Sequence, residues 1–276
     1  MQKTDVLGLG EVVLDWVAEI PHFPKPDEKI DALSESYFSG GVTANYLVAI
    51  SRLGISSGFI GAVGNDSYGD FLLKDFKKEK VNTQLTLKKQ GKKTPVNFIF
   101  IAKGEKTIIQ SPHMQTTKLD VSDLDKKYIA NAKLLHTTLI HSDLSEKSIK
   151  IAKENSVKVS IDLESQIAQR GWNNLKNLLL QADILIPNKE GAKMITNCKT
   201  PQDSAKSLIN KGIPIVIITM GSKGALITTK EFQKEIPAFK VDTVVDTTGA
   251  GDAGRRDHRA KRRGVWGGAQ SWREHE

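Results

Sequence analysis

The sequence predicts an α/β protein with a mostly parallel central sheet and a small second β sheet attached to it. Three observations carry that prediction. Beyond residue 134, strand-like and helix-like segments alternate, the pattern of parallel βαβ units. Residues 214–219 form a near-continuous apolar run, of the kind buried on both faces in a parallel sheet. Residues 95–101 and 106–110 are β-rich runs joined by Lys103-Gly104-Glu105, a hairpin signal.

Taken in order, Val6-Leu7-Gly8-Leu9-Gly10-Glu11-Val12-Val13-Leu14-Asp15 reads as a buried first strand and then a glycine break. Asp15 stands just past the apolar positions, where an acid can accept hydrogen bonds from sugar hydroxyls; a turn aspartate is the bland alternative. Pro21, Pro24 and Pro26 mark a loop, and residues 29–38 suit an exposed strand that could join the 95–110 hairpin in a projecting sheet. Gly40-Gly41-Val42-Thr43-Ala44-Asn45 opens a helix through about Leu53, with Gly54 as its C-cap. Paired glycines allow close backbone approach to a ligand, and Asn45 on the first turn can point into that gap. A structural turn is the commoner cause of such a pair. Residues 57–69 supply a strand, a turn and the start of a helix reaching about Lys80. No Gly-Lys-Ser/Thr follows these glycines, so a Walker A phosphate loop is excluded.

Strands at 134–139, 157–163, 184–186 and 214–219 then alternate with helices at 145–155, 174–181, 190–195 and 201–211. Thr219-Met220-Gly221-Ser222-Lys223-Gly224-Ala225 follows the last of these strands. Small residues at the C-terminal end of a parallel strand suit a ligand site, with an unliganded tight hairpin as the alternative. Near the end, Val244-Val245-Asp246-Thr247-Thr248-Gly249-Ala250-Gly251-Asp252-Ala253 reads as a strand end, a glycine turn and a helix start. Such a turn aims several backbone N–H groups at one point, and the helix dipole adds positive potential there. An aspartate beside an anion hole repels phosphate but accepts the proton of an attacking hydroxyl well. Taken alone, Asp252 is equally an N-cap.

The string from Asp246 to Ala253 resembles the C-terminal signature of the ribokinase-like (PfkB) carbohydrate kinases. Gly40-Gly41-x-x-Ala44-Asn45 and Gly61-x-Val63-Gly64-x-Asp66-x-x-Gly69 resemble the family's N-terminal half, and the resemblance spans roughly residues 5–253. It implies a Rossmann-type three-layer sandwich with a β lid over the sugar. The lid would come from about 11–38 and 92–112, inserted in one kinase domain of residues 1–253. The implied activity is ATP-dependent phosphorylation of a sugar hydroxyl with Mg²⁺ on the phosphates, ribokinase- or fructokinase-like.

Carried over by that resemblance, Asp252 is the base and Gly249, Ala250 and Gly251 supply the anion hole. Asp15, Gly40, Gly41 and Asn45 hold sugar hydroxyls, while Asn188, Thr219, Gly221, Ser222 and Gly224 face ATP. Asp246 and Thr248 match positions that bind a monovalent cation such as K⁺ in some members. Ile186-Pro187-Asn188-Lys189-Glu190-Gly191 resembles the family's Asn-x-x-Glu element, which is associated with magnesium and phosphate. Here Gly191 stands at the acid's position. Glu190, the nearest acid and the substitute candidate for Mg²⁺, is displaced by one residue, about 100° around a helix. A homodimer through the lid is implied by the resemblance alone.

Composition bounds the remaining classes. The 276 residues suit one elaborated domain or a domain plus a small lobe, and 39% hydrophobic with 26% charged residues is ordinary for a globular protein. One cysteine, Cys198, excludes an internal disulfide and fits a reducing compartment; with no signal-peptide layout at Met1, the expectation is a cytoplasmic protein. No apolar run approaches the ~20 residues needed to span a bilayer. The net charge of +8 is concentrated, since residues 254–276 hold seven cations against three anions, and six of the eight arginines. That abrupt change of usage after Ala253 predicts a basic tail that is not native family sequence, from a shifted reading frame or a fusion. An arginine-faced helix cannot pack on the sheet without burying charge, so compromised activity is expected. Two other classes remain: a nucleoside kinase of the same fold, and a non-catalytic sugar- or nucleotide-binding protein. Nucleic-acid binding through Arg255–Arg263 ranks last, for want of any accompanying motif.

Overall fold

The computed structural model describes residues 4–238. The expectations for Asp246, Thr248, Gly249, Ala250, Gly251, Asp252 and the tail at 254–276 lie outside the described residues. The chain runs β1 (Val6–Leu9), β2 (Val13–Glu19), β3 (Ser34–Gly40), α1 (Val42–Arg52), β4 (Ser57–Gly64), α2 (Ser67–Lys78) and β5 (Asn82–Lys89). It continues through β6 (Val96–Ala102), β7 (Glu105–Gln110), α3 (His113–Thr116), α4 (Lys126–Ala130), β8 (Leu134–Thr137), α5 (Ser142–Glu154) and β9 (Lys158–Leu163). Then come α6 (Ser165–Ala168), α7 (Trp172–Leu179), β10 (Ile184–Pro187), α8 (Lys189–Thr196), α9 (Pro201–Asn210), β11 (Ile215–Thr219), β12 (Ala225–Thr228) and β13 (Gln233–Ile236).

Two sheets result. The main sheet has nine strands in the order β13-β12-β11-β10-β9-β8-β1-β4-β5, parallel from β11 to β5, with β12 and β13 antiparallel at one edge. Alternation along its strands divides the core into two apolar layers. Leu7 and Leu9 join Leu135, Ile161 and Leu185 under α5 and the later helices, whereas Val6, Phe59 and Val63 pack with Tyr46, Leu47 and Ile50 of α1 and Leu72 and Phe76 of α2. Helices therefore cover both faces, as buried parallel strands require. The second sheet, order β3-β2-β6-β7, is the small lid, with β2 antiparallel to β3, parallel to β6, and β6 antiparallel to β7.

Residues 6–15 do not form one strand. The chain leaves the main sheet after Leu9 and resumes pairing in the lid at Val13. At Gly10 a Cβ would stand 2.0 Å from Thr43 Oγ1 of α1, so the crossing between sheets passes where no side chain fits. Strand β5 has no counterpart in the sequence reading, because an edge strand of half-exposed polar residues lacks the apolar signature of its neighbours.

Candidate active site

Parallel strands place their C-terminal ends on one edge of the sheet. The chain turns in opposite directions on either side of β1, whose neighbours are β4 and β8, so this edge contains a topological switch point. The lid is joined to the body beside it. Its connections are Gly10–Val12, Gly41, the segment from β5 to β6, and the segment after β7.

The lid-side group forms around Gly40 and Gly41. Asp15 is 6% exposed, and its Oδ1 accepts a 2.8 Å hydrogen bond from Asn97 Nδ2 of β6. A Cβ on Gly40 would stand 2.2 Å from Asp15 Oδ2. Gly41 has φ +102°, and a Cβ there would meet the Glu11 carbonyl oxygen at 2.7 Å. Gly41 demands glycine on both counts, whereas a side chain at Gly40 would displace the Asp15 carboxylate. Asn45 lies half-buried on the first turn of α1, its N–H donating to Gly41 O at 2.9 Å.

Glu11 is a member of this group that the sequence reading missed. It is 8% exposed in the crossing between the two sheets. Oε1 accepts from the Val42 N–H at 3.3 Å, and Oε2 accepts from Thr138 Oγ1 at 3.1 Å, beyond β8. One carboxylate thus ties the start of the lid, the start of α1 and the end of a central strand. An acid directly after a strand-ending glycine was the available signal. Asn97 was missed as well, because an isolated polar residue inside a β run carries no pattern.

Thr94 secures another lid connection. Its N–H and hydroxyl donate to Asp66 at 2.8 and 2.6 Å, and its oxygen accepts from Gly64 N–H at 3.0 Å. Burial works to raise the Asp66 carboxyl, but the Thr94 and Gly69 donors outweigh it, and its pKa lies below the usual value of 3.8. His141, 7% exposed at the N-cap of α5, lies near Lys118 and Asp143. Burial first, then the Lys118 charge, pushes its pKa down to about 4 against the weaker pull of Asp143. The imidazole is neutral at pH 7.

The nucleotide-side candidates collect farther along the same edge. Asn188, at the end of β10, pairs through an isolated parallel bridge with Thr219, the last residue of β11. Gly221 and Ser222 are exposed in a single 3₁₀ turn leading to β12, and Gly224 closes that turn with φ +92°. A Cβ on Gly224 would stand 1.9 Å from Ile236 O, so glycine is obligatory for the hairpin itself. The segment is therefore a tight hairpin that also stands at the ligand edge.

The described residues do not fit a protein-built magnesium site. Among them no group of three His, Cys, Asp or Glu side chains converges. Asn188 Oδ1 already caps α8, accepting from Gly191 N–H at 2.7 Å, and Glu190 is exposed. At Gly191 a Cβ would meet Leu163 O at 2.8 Å and Asn188 Oδ1 at 2.9 Å, so the backbone has closed over the position where the sequence pattern expects an acid.

An α/β body with a switch-point cleft and an appended β lid defines a class of small-molecule-binding proteins. Comparison with known proteins narrows it. Residues 3–254 match the pfkB family carbohydrate kinases, and the chain belongs to that family. It is 31% identical over 257 residues to a ribokinase of Staphylococcus aureus, spanning 90% of this chain and 82% of that protein. It is 30% identical over 267 residues to an ATP-dependent 6-phosphofructokinase of Thermoanaerobacterium thermosaccharolyticum, spanning 91% and 79%. The crystal structure of a Thermotoga maritima ribokinase superposes with a TM-score of 0.72 at 25% identity, covering 90% of this chain and 82% of that one. The chain is thus a ribokinase-like α/β protein and a kinase by family. No helix among the described residues is long and apolar enough to cross a membrane.

Proposed function

We propose that this chain transfers the γ-phosphoryl group of ATP to a hydroxyl of a small sugar. The observation that carries the reading is the shared sheet edge. Asp15, Gly40, Gly41 and Asn45 flank the point where the chain leaves the C-terminal end of β1 for the lid, and Asn188, Thr219, Gly221, Ser222 and Gly224 follow the C-terminal ends of β10 and β11. Residues 1–253 act as the kinase domain with the lid inserted in it, and the basic sequence of 254–276 is not counted in that domain. The lid-side residues bind and orient the sugar, which lowers the barrier by removing its freedom of approach. Asp252 takes the proton of the attacking hydroxyl, and the N–H groups of Gly249, Ala250 and Gly251 stabilise the charge on the group in transit. Magnesium bound with the nucleotide would neutralise phosphate charge, and Glu190, exposed on the first turn of α8, is poorly placed to hold it. Asp246 and Thr248 are the candidates for K⁺.

The relatives bear names with different acceptors, ribokinase and 6-phosphofructokinase among them. The deciding experiment is ADP formation with ATP and Mg²⁺ across pentoses, hexoses, sugar acids and nucleosides, with Asp252→Asn alongside. Activity that one sugar elicits and the variant lacks supports the reading. Turnover of a nucleoside alone makes the chain a nucleoside kinase of the same fold. Sugar binding without any Asp252-dependent turnover makes it a binding protein, the reading that Gly191 favours. Exposed Tyr37 and Ile109 lie on one face of the lid, across from each other over Trp16 and Phe98, and this is the apolar surface on which a homodimer is proposed. A monomer by sedimentation at micromolar concentration counts against that assembly.

A further inference from the structure

A cavity of about 470 Å³ opens to solvent between the start of α7, the C-terminal end of α8 and Lys211 after α9. That volume lies within the range of small-molecule sites. None of the residues assigned above to sugar, nucleotide or metal lines it.

Its lining carries one sign of charge. Arg170 and Lys211 border it, no Asp or Glu does, and neither cation forms an ion pair among the described residues. The Lys211 ammonium stands over the Trp172 ring, 4.7 Å from its centre, a cation–π contact that holds the charge at the wall. Helix α7 begins at Gly171, φ +79°, without a side-chain cap, so its first N–H groups and its dipole add positive potential on the same side. Asn173 and Asn197 supply amides beside these charges, and Met194, 40% exposed, supplies an apolar patch. The combination suits a small molecule that joins a dianionic phosphate to a hydroxylated body. The guanidinium and ammonium take the phosphate oxygens, and the amides take the hydroxyls.

Arg170 also reaches the C-terminal edge of the main sheet. Its Nη1 donates to Ser142 Oγ, at the first residue of α5, at 2.7 Å, and to Leu139 O, just past β8, at 3.4 Å. Leu139 is fully buried with φ +61°, a left-handed conformation that costs energy for a residue with a side chain. Its neighbour Thr138 donates to Glu11 in the lid crossing at 3.1 Å. One guanidinium therefore borders the cavity and holds the turn to which the lid crossing is tied.

We propose that the cavity is an effector site for a small phosphate monoester, and that Arg170 transmits its occupation to the turn at Leu139. The bound anion competes for the guanidinium with Leu139 O and Ser142 Oγ and loosens that turn. The ester is held there and not turned over. The proposal goes beyond the kinase reading and does not depend on it.

Calorimetric titration of the full chain with glycerol 3-phosphate, at about 0.15 M salt to screen non-specific attraction, tests the site. The ester is expected to bind at least about tenfold tighter than sulfate or glycerol, the controls for charge alone and hydroxyls alone. Lys211→Met keeps the apolar stem on Trp172 and removes the charge, and should weaken the ester about tenfold. Asn173→Asp puts an acid in the first turn of α7. It should abolish binding while the melting midpoint holds or rises, because an acid suits a helix N-terminus. Those opposite movements separate repulsion of the ligand from damage to the fold. Hydrogen exchange reads the transmission: with the ester bound, amides from Leu139 to Ser145 should exchange about threefold faster or more, and should not respond in Lys211→Met. Ester binding that survives both substitutions overturns the proposal, as does sulfate or glycerol binding as tightly as the ester. So does unchanged exchange at Leu139–Ser145 with the ester bound, or no measurable binding by about 10 mM. ADP formation across the acceptor panel decides the kinase reading separately.

Discussion

Replacing Glu11 with alanine removes the acceptor shared by Val42 N–H and Thr138 Oγ1. Thr138 is 1% exposed, so water cannot replace the lost partner for its hydroxyl. A hydrogen bond to a charged group contributes ~1.5–3 kcal/mol, and an orphaned buried donor costs ~1–3 kcal/mol. The Val42 bond is long at 3.3 Å and belongs at the low end. The expected loss is about 3 kcal/mol, a fall of roughly 6–12 °C in melting midpoint for a chain of this size. Glutamine in place of Glu11 keeps an acceptor for Val42 and can donate to Thr138, so Glu11→Gln should lose only about 1 kcal/mol. Thr138→Val supplies the second arm of a double-mutant cycle, read by urea denaturation. A coupling of about 1–2 kcal/mol between Glu11→Ala and Thr138→Val is expected for a direct contact. Additive losses, or a Glu11→Ala loss below about 0.5 kcal/mol, would refute the idea that this carboxylate ties the lid crossing to the sheet.

Two other predictions concern the same edge. The His141 pKa of about 4 lies below the ordinary 6.5, so between those values the unfolded chain holds the extra proton and stability falls as pH falls. The loss amounts to roughly 3 kcal/mol by pH 4, and His141→Gln should flatten that limb of the stability profile; an unchanged limb would assign it to other groups. Gly191→Ala places a Cβ against Leu163 O and the Asn188 cap, and Gly191→Glu does so with a longer side chain. Each is expected to lower stability by about 1–3 kcal/mol in calorimetry, and a neutral Gly191→Ala would show that the backbone there has room to relax.

Much of the fold was legible because its signals are local. Apolar runs of strand length, separated by helical periodicity and glycine or proline punctuation, marked β8 to β11 and α7 to α9 within a few residues. The Gly40-Gly41 and Gly221–Gly224 segments were likewise visible as turns at strand ends. The lid was legible as a hairpin plus one exposed strand. The contribution of Val13–Glu19 came from the family resemblance and not from the residue pattern, since an apolar stretch continuous with β1 gives no sign that it changes sheets at Gly10.

Of the candidate site, the sequence by itself determined the residue types: paired glycines, an acid at 15, amides at 45 and 188, and the missing acid at 191. Those follow from chemistry that a short string can display. Only the tertiary structure showed what a side chain would meet at these glycines, because the atoms concerned, Asp15 Oδ2 at Gly40 and Leu163 O at Gly191, come from 25 and 28 residues away in the chain. It alone brought in Glu11 and Asn97, whose partners at Thr138 and Asp15 lie 127 and 82 residues distant. Hydrogen bonds between such positions leave no periodicity, and they exist only once the two sheets have packed.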